Sequence, residues 1–190
     1  RLLLESGADA NKAMDDGRTP LYMAAYNGHV DACRLLLKNG ADVNKARNDG
    51  VTPLCTAAEK GHVDACRLLL ESGADANKAA NNGVTPLFMA AKKGHVDACR
   101  LLLENGADAN KASNTGVTPL LKAAQKGHVD TCRLLLENGA DANKAMNDGA
   151  TPLYIAAENG HVDACRLLLE NGADADKAMH DGMTPLYIAA

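Results

Sequence analysis

The chain has 190 residues, of which 46% are apolar and 23% charged, with a formal net charge of −4. A dedicated nucleic-acid-binding protein usually carries a strong basic surplus, so this charge balance argues against that class. The sequence contains no run of about 18 apolar residues, which argues against a membrane-spanning helix. One Phe, four Tyr and no Trp favour a thin core of Ala, Leu and Val.

A fixed period of 33 residues organises the sequence, because glycine and a Thr-Pro pair recur at that spacing. A strict period between about 20 and 50 residues predicts stacked supersecondary units rather than one globular core. No linker or low-complexity segment interrupts the pattern, so we expect one continuous domain over 1–190. Its start and end within a unit suggest a piece of a longer array. The predicted units are a partial unit at 1–13, full units at 14–46, 47–79, 80–112, 113–145 and 146–178, and a partial unit at 179–190.

Each unit is predicted to begin with a short helix, for which 80–112 is a good example. Thr85 is a suitable N-cap, and Pro86 at the first helical position loses no backbone hydrogen bond. Three apolar residues at positions i, i+3 and i+4 then predict one buried stripe. These residues are Leu87, Ala90 and Ala91.

A second helix and an extended connection complete the unit. Gly106 is expected to end the second helix because glycine readily takes a positive φ. The polar segment 107–116 is rich in turn formers, which favours a β-hairpin-like finger. The inner face of the second helix is predicted to contain Val96, Cys99, Leu102 and Leu103, widened by Ala98 and Leu101.

The motifs Thr-Pro-Leu-x-x-Ala-Ala, Gly-His and Leu-Leu-Leu-x-x-Gly-Ala-Asp, followed by a closing Asn, repeat in phase along essentially the whole chain. In this respect the sequence resembles the ankyrin repeat. The resemblance implies an all-α solenoid of helix-turn-helix units joined by β-hairpin-like fingers. It also implies a non-catalytic module that binds another protein through the concave face of the array.

One family feature is altered. Ankyrin repeats usually have His after Thr-Pro-Leu, and that His is thought to brace the backbone between units. Its replacement here predicts that apolar packing takes over this role. The replacing residues are Tyr22, Cys55, Phe88, Leu121, Tyr154 and Tyr187.

Five of the six cysteines occupy the same place in successive units. Equivalent atoms on packed helices lie about 8–10 Å apart, whereas a disulfide needs Cα atoms within about 7 Å. We therefore expect free, buried thiols and a reducing compartment, the cytosol or the nucleus. These residues are Cys33, Cys66, Cys99, Cys132 and Cys165.

The repeated His-x-x-x-Cys pair is a possible metal-ligand pair, but tetrahedral zinc requires four ligands and no second pair is predicted nearby. We favour a structural role in which Cys packs in the core and His forms hydrogen bonds at the turn between helices. Phosphate-loop signatures are absent. We therefore predict no enzyme and no catalytic, cofactor-binding or metal-binding residue.

The closing asparagines resemble hydroxylation sites of the family. The alternative, which we favour, is a turn asparagine that satisfies its own backbone. These residues are Asn44, Asn77, Asn110 and Asn143.

Differences between units are concentrated in the finger tips and on the outer side of the first helix, which line the concave face in the family. The net charges of the stretches 12–27, 45–60, 78–93, 111–126 and 144–159 are 0, +1, +3, +3 and −1. The basic centre predicts a surface for an acidic segment of a partner protein, although exposed lysines also simply maintain solubility. The predicted contact residues are Lys60, Phe88, Met89, Lys92, Lys93, Leu121, Lys122 and Lys126.

The favoured function is thus a monomeric protein-interaction module that does not bind nucleic acid and does not insert into a membrane. The alternative is the substrate-recognition or anchoring arm of a larger enzyme or channel. We further expect both ends to fray, because apolar residues there have no neighbouring unit. These residues are Leu2 to Leu4, Leu186 and Ile188.

Overall fold

The computed structural model describes residues 2–190, and the regular secondary structure of these residues is entirely helical. The all-α expectation is therefore confirmed. The helices are α1 (Leu2–Glu5), α2 (Pro20–Tyr26), α3 (Val30–Lys38), α4 (Pro53–Lys60), α5 (Val63–Glu71), α6 (Pro86–Lys93), α7 (Val96–Glu104), α8 (Pro119–Gln125), α9 (Val129–Glu137), α10 (Pro152–Glu158), α11 (Val162–Glu170) and α12 (Pro185–Ala189).

The helices form two layers. The first helices of successive units, α2, α4, α6, α8, α10 and α12, contact one another along the array, and so do the second helices α3, α5, α7, α9 and α11. Within each full unit the first helix also packs on the second. This nearest-neighbour pattern is that of a solenoid. In the described part of the chain, no helix has the length and hydropathy that crossing a lipid bilayer requires.

The first helices begin as the sequence predicts. In α6 the buried Thr85 hydroxyl accepts a hydrogen bond from the backbone N–H of Phe88 at 3.2 Å, and Pro86 follows the cap. The same threonine cap starts each of the other first helices. This cap satisfies one of the donors that a helix N-terminus leaves without an intrahelical partner.

The core runs along the array between the two layers. In 80–112 the predicted stripe of Leu87, Ala90 and Ala91 is fully buried. The inner face of α7 is narrower than predicted, because Val96 and Leu103 are only half-buried at its margin. The fully or almost fully buried residues of α7 are Ala98, Cys99, Leu101 and Leu102.

The fingers are hydrogen-bonded turns rather than regular strands. In one finger, the N–H of Ser113 donates to the carbonyl of Val117 at 2.9 Å and the N–H of Gly116 donates to Ser113 at 2.9 Å. The N–H of Asn114 also donates to the carbonyl of Asn82 in the preceding finger at 3.0 Å. The fingers therefore form a connected row along one edge of the array.

The ends of the array are less covered than its middle. Leu3 and Leu186 are each 77% exposed. In contrast to the prediction, Leu4 and Ile188 are half-buried and pack on the apolar clusters. Arg1 and the side chain of Leu2 lie outside the described residues. Fraying of the ends stays a prediction.

Candidate protein-interaction surface

The histidines of the Gly-His pairs join neighbouring units. The Nε2 atom of His95 lies 3.1 Å from the carbonyl oxygen of Glu59 in the preceding unit, and that of His128 lies 3.3 Å from the carbonyl oxygen of Lys92. His62 and His161 make the equivalent contact. The histidine hydrogen bonds are therefore structural, as predicted, but they reach across the junction between units.

The closing asparagines form a second ladder between units. The side-chain amide of Asn110 donates to the carbonyl of Gly139 at 2.8 Å, and its Oδ1 accepts from the N–H of Asp141 at 2.8 Å. Asn11, Asn44, Asn77 and Asn143 make the same pair of bonds. The expectation that these side chains satisfy their own backbone was wrong, because each one bonds the backbone of the following unit.

Finger lysines also act at the junctions. The Nζ of Lys111 donates to the carbonyl of Asn77 at 2.8 Å, and the Nζ of Lys144 donates to the carbonyl of Asn110 at 3.0 Å. Lys45 and Lys177 make the equivalent bond. Each of the five stretches compared above contains one finger lysine, so setting these residues aside leaves the same central maximum of positive charge.

The six cysteines are free thiols, and four of the five predicted as buried are buried, whereas Cys165 near the end of the array is only half-buried. Burial raises the pKa of Cys33 to about 11 and the pKa of Cys66, Cys99 and Cys132 to about 12. The reactive form of cysteine is the thiolate, so these thiols are inert near neutral pH. Residues 2–190 contain no group of three or more His, Cys, Asp or Glu side chains placed to hold a metal ion.

The residues that replace the family histidine, at the same position of each unit, pack mostly in the interior. Phe88 and Leu121 are only 7% and 1% exposed. We predicted both as partner-contact residues, and this was wrong, because neither presents enough surface. Leu121 instead packs in a small apolar cluster with Tyr154, Ile155 and the finger residue Met146. Tyr22, Cys55 and Tyr154 are buried in the same column, whereas Tyr187 near the end of the array is exposed.

A group of lysines lies on the first helices in the middle of the array. Lys122 is half-buried, and its pKa is lowered mainly by loss of hydration and then by the charges of Lys126 and Lys92. The Nζ of Lys122 donates to Oε1 of Gln125 at 2.7 Å. No ion pair in the described part of the chain involves these three lysines. The charges of Lys92 and Lys126 thus act on Lys122, and no described carboxylate forms an ion pair with any of the three.

Lys126 also belongs to a column that runs along the array. Lys60, Lys93 and Lys126 occupy the same position, eight residues into the first helix segment, in three successive units, and all three are exposed. In the units on either side this position is asparagine, at Asn27 and Asn159. The side chain of Met89, which we predicted beside the lysines, is half-buried.

The first two full units carry an aromatic and arginine-rich group that sequence reasoning missed. The Nζ of Lys60 lies 4.5 Å from the ring centroid of Tyr26, and the guanidinium carbon of Arg47 lies 5.8 Å from that of Tyr22. The sequence feature that could have revealed this group is Tyr26. It occupies a column whose other members are Glu59, Lys92, Gln125 and Glu158.

These features define a repeat solenoid of stacked helix pairs that presents an extended surface. The family model for ankyrin repeats (3 copies) matches residues 1–80, 73–146 and 140–190. The chain therefore belongs to the ankyrin repeat family, whose members generally bind other proteins. A comparison with curated proteins finds no similar sequence.

Proposed function

We propose that this array binds an acidic, extended segment of a partner protein on the first-helix face, through Lys60, Lys93, Lys126 and the adjacent Lys92 and Lys122. The observation that carries the proposal is the clustering of Lys92, Lys122 and Lys126 without any carboxylate partner. Holding like charges together costs free energy, and an acidic ligand relieves that cost.

The spacing of the lysine column fits an extended chain. Stacked helices are separated by about 8–10 Å, and an extended chain rises about 3.3 Å per residue. One lysine of the column therefore corresponds to about every third residue of the ligand. Charge guides the encounter and sets specificity, while the half-buried Met89 adds apolar contact.

The remaining parts of the proposal follow from the same features. The protein acts as a monomer, since its stacked layers already bury the apolar faces of the central units. It resides in a reducing compartment, because its buried thiols are free. The array itself is the non-catalytic binding part, and it serves equally well as the recognition arm of a larger enzyme or channel.

The test is a charge-reversal experiment with a matched control. The variant Lys92→Glu/Lys93→Glu/Lys126→Glu is compared with Arg67→Glu/Arg100→Glu/Arg133→Glu, which makes the same change in net charge at exposed positions of the second helices. Binding of a fluorescein-labelled oligoglutamate peptide is measured by anisotropy at low and moderate salt. We expect the lysine variant to lose at least about tenfold in affinity and the arginine variant to lose much less.

Equal losses in the two variants would show that only net charge matters, and the proposed surface would be wrong. A single-stranded oligothymidylate supplies the second control, because phosphates also seek basic surfaces. Beside these lysines, Tyr26 next to Lys60 is exposed but Phe88 is buried, so the described residues offer few rings on which successive bases could stack. We therefore expect the oligothymidylate to bind more weakly than oligoglutamate, and tighter binding would overturn the proposal.

A further inference from the structure

A pocket of about 230 Å³ opens between the first two full units. It is smaller than the roughly 300 Å³ at which small-molecule sites begin, so its size suits one side chain. Its lining combines the exposed ring of Tyr26, the largely buried ring of Tyr22, a thioether and two guanidinium groups. The lining residues are Arg18, Tyr22, Met23, Tyr26 and Arg47.

The two arginines are held in place by neighbouring carboxylates. The Nε of Arg18 donates to Oδ2 of Asp16 at 2.6 Å, and its Nη1 lies 3.9 Å from the sulfur of Met23. The guanidinium of Arg47 forms a two-point ion pair with Asp49. Guanidinium planes fixed in this way are suited to stack on a flat ring, and thioethers also contact aromatic rings favourably.

The packing of the repeat units does not require this pocket. The clefts beside the histidines recur in several units, with Gly28 and His62 in one and Gly94 and His128 in another. In contrast, Tyr26 and Arg47 have no equivalent in any other unit. Tyr26 is also 40% exposed, although it is a large aromatic residue. Stacking of the units therefore does not explain the group.

The charges around the pocket select the type of ligand. Asp16 and Asp49 balance the charges of Arg18 and Arg47, whereas Lys60 forms no ion pair in the described part of the chain. Its Nζ already lies 4.5 Å from the ring centroid of Tyr26, so it opposes a second cation at that ring. An aromatic side chain with acidic residues further along its chain fits both the lining and the lysine group in the middle of the array.

We propose that the partner segment inserts one aromatic side chain into this pocket and places its acidic residues on Lys92, Lys122 and Lys126. The inference rests on the proposed function, since it describes the ligand of the same face. The pocket and the lysine group are separated by two units, or about 20 Å at the usual helix spacing. An extended chain covers that distance in about six residues.

Synthetic peptides test this geometry directly. Each fluorescein-labelled peptide has one Phe, a Gly-Ser spacer of between about two and ten residues, and a run of about five Glu, in both chain directions. A second set has Ala in place of Phe. We expect one direction to bind best at a spacer of about six residues, about tenfold more tightly than its Ala counterpart.

Two variants locate the effect. Tyr26→Ala should remove the gain from Phe, while the Ala peptides still bind and still respond to charge reversal of Lys92, Lys93 and Lys126. Tyr187→Ala is the matched control, because Tyr187 is an exposed tyrosine at the far end of the array. It should change neither set of affinities.

A gain from Phe that is absent, independent of spacer length or retained in Tyr26→Ala overturns the inference. The Ala peptides keep the proposed function separate, since their binding depends on the lysines alone. If they bind and respond to charge reversal of the lysines, the acidic-segment proposal stands even when the pocket proposal fails. If they do not bind at any salt concentration, both proposals fail.

Discussion

At the junctions between units the same side chains recur every 33 residues, whereas on the first-helix face the corresponding positions change from unit to unit. His95, His128 and Asn110 illustrate the junctions, where each side chain bonds the backbone of a neighbouring unit. Tyr26 and Lys122 illustrate the variable face. A residue repeated in every unit is explained by stacking, so only the departures from the period require a functional explanation.

The largest loss of stability is expected when a side chain fills the space beside a glycine at the junction between two units. Gly94 has a φ of 73°, and a Cβ there would lie 2.8 Å from Nδ1 of His128. We expect Gly94→Ala to destabilise the array by about 3 kcal/mol, because the residue is strained and the histidine ring is displaced from its bond to the carbonyl of Lys92. Urea unfolding measures the loss.

Gly106→Ala is the matched control for this variant. Gly106 has a similar φ of 79°, but a Cβ there would meet no atom within 4 Å. Only the backbone strain remains, so we expect a loss of about 1 kcal/mol. Equal losses at the two glycines would mean that the approach of His128 contributes nothing to joining the units.

A smaller loss of stability is expected when one of the asparagines that bond the next unit is replaced. Asn110→Ala removes two hydrogen bonds between units and should cost about 2 kcal/mol. Asn105→Ala removes one bond within a unit, from the side-chain amide to the carbonyl of Leu101, and should cost about 0.5 kcal/mol. Urea unfolding should also become less cooperative only for Asn110→Ala. A loss of cooperativity in both variants, or in neither, would contradict the ladder.

Interactions between residues close in sequence predicted the helix boundaries within each unit well. They predicted the contacts between neighbouring units poorly. Thr85, Pro86 and Gly106 set helix boundaries through interactions a few residues apart, and the structure confirms each of them. The ladder of Asn110 links residues about 30 positions apart, so its partners depend on how the units stack. The burial of Phe88 depends on the same stacking, which is why we placed it wrongly on the binding face.

One residue that departs from the 33-residue period lies in the packed interior, and replacing it is predicted to stabilise the array rather than destabilise it. Thr131 replaces the alanine of the other second helices, is 1% exposed, and its hydroxyl has no hydrogen-bond partner among the described residues. Thr131→Ala should therefore stabilise the array by about 1 kcal/mol. Thr118 is equally buried, but its hydroxyl caps α8 by accepting from the N–H of Leu121 at 3.1 Å.

The two threonines are compared in thermal or urea unfolding. Thr118→Ala should lose about 1 kcal/mol, as expected when an N-cap is removed. If Thr131→Ala instead destabilises the array by a similar amount, loss of the buried methyl group outweighs the release of the unpaired hydroxyl. The presence of threonine rather than alanine at position 131 would then need an explanation other than tolerated sequence variation.

The smallest expected effect concerns the variable face itself. Because the pKa of Lys122 is lowered in the fold, the charged form is less favourable there than in the unfolded chain. The resulting loss of stability is present at pH values below the folded-state pKa and disappears as the pH rises through it. Lys122→Met restores the residue found at Met23 and Met89, and should stabilise the array by a few tenths of a kcal/mol at neutral pH.

Salt and partner binding distinguish this effect from a general gain in packing. Salt screens repulsion between exposed charges, so the part of the gain due to Lys92 and Lys126 should shrink as ionic strength rises. Lys93→Met is the control, because Lys93 is exposed and is not among the charges that lower the pKa of Lys122. Lys122→Met should also weaken oligoglutamate binding. A variant that is more stable yet binds the peptide equally well would show that Lys122 is part of the scaffold and not of the binding surface.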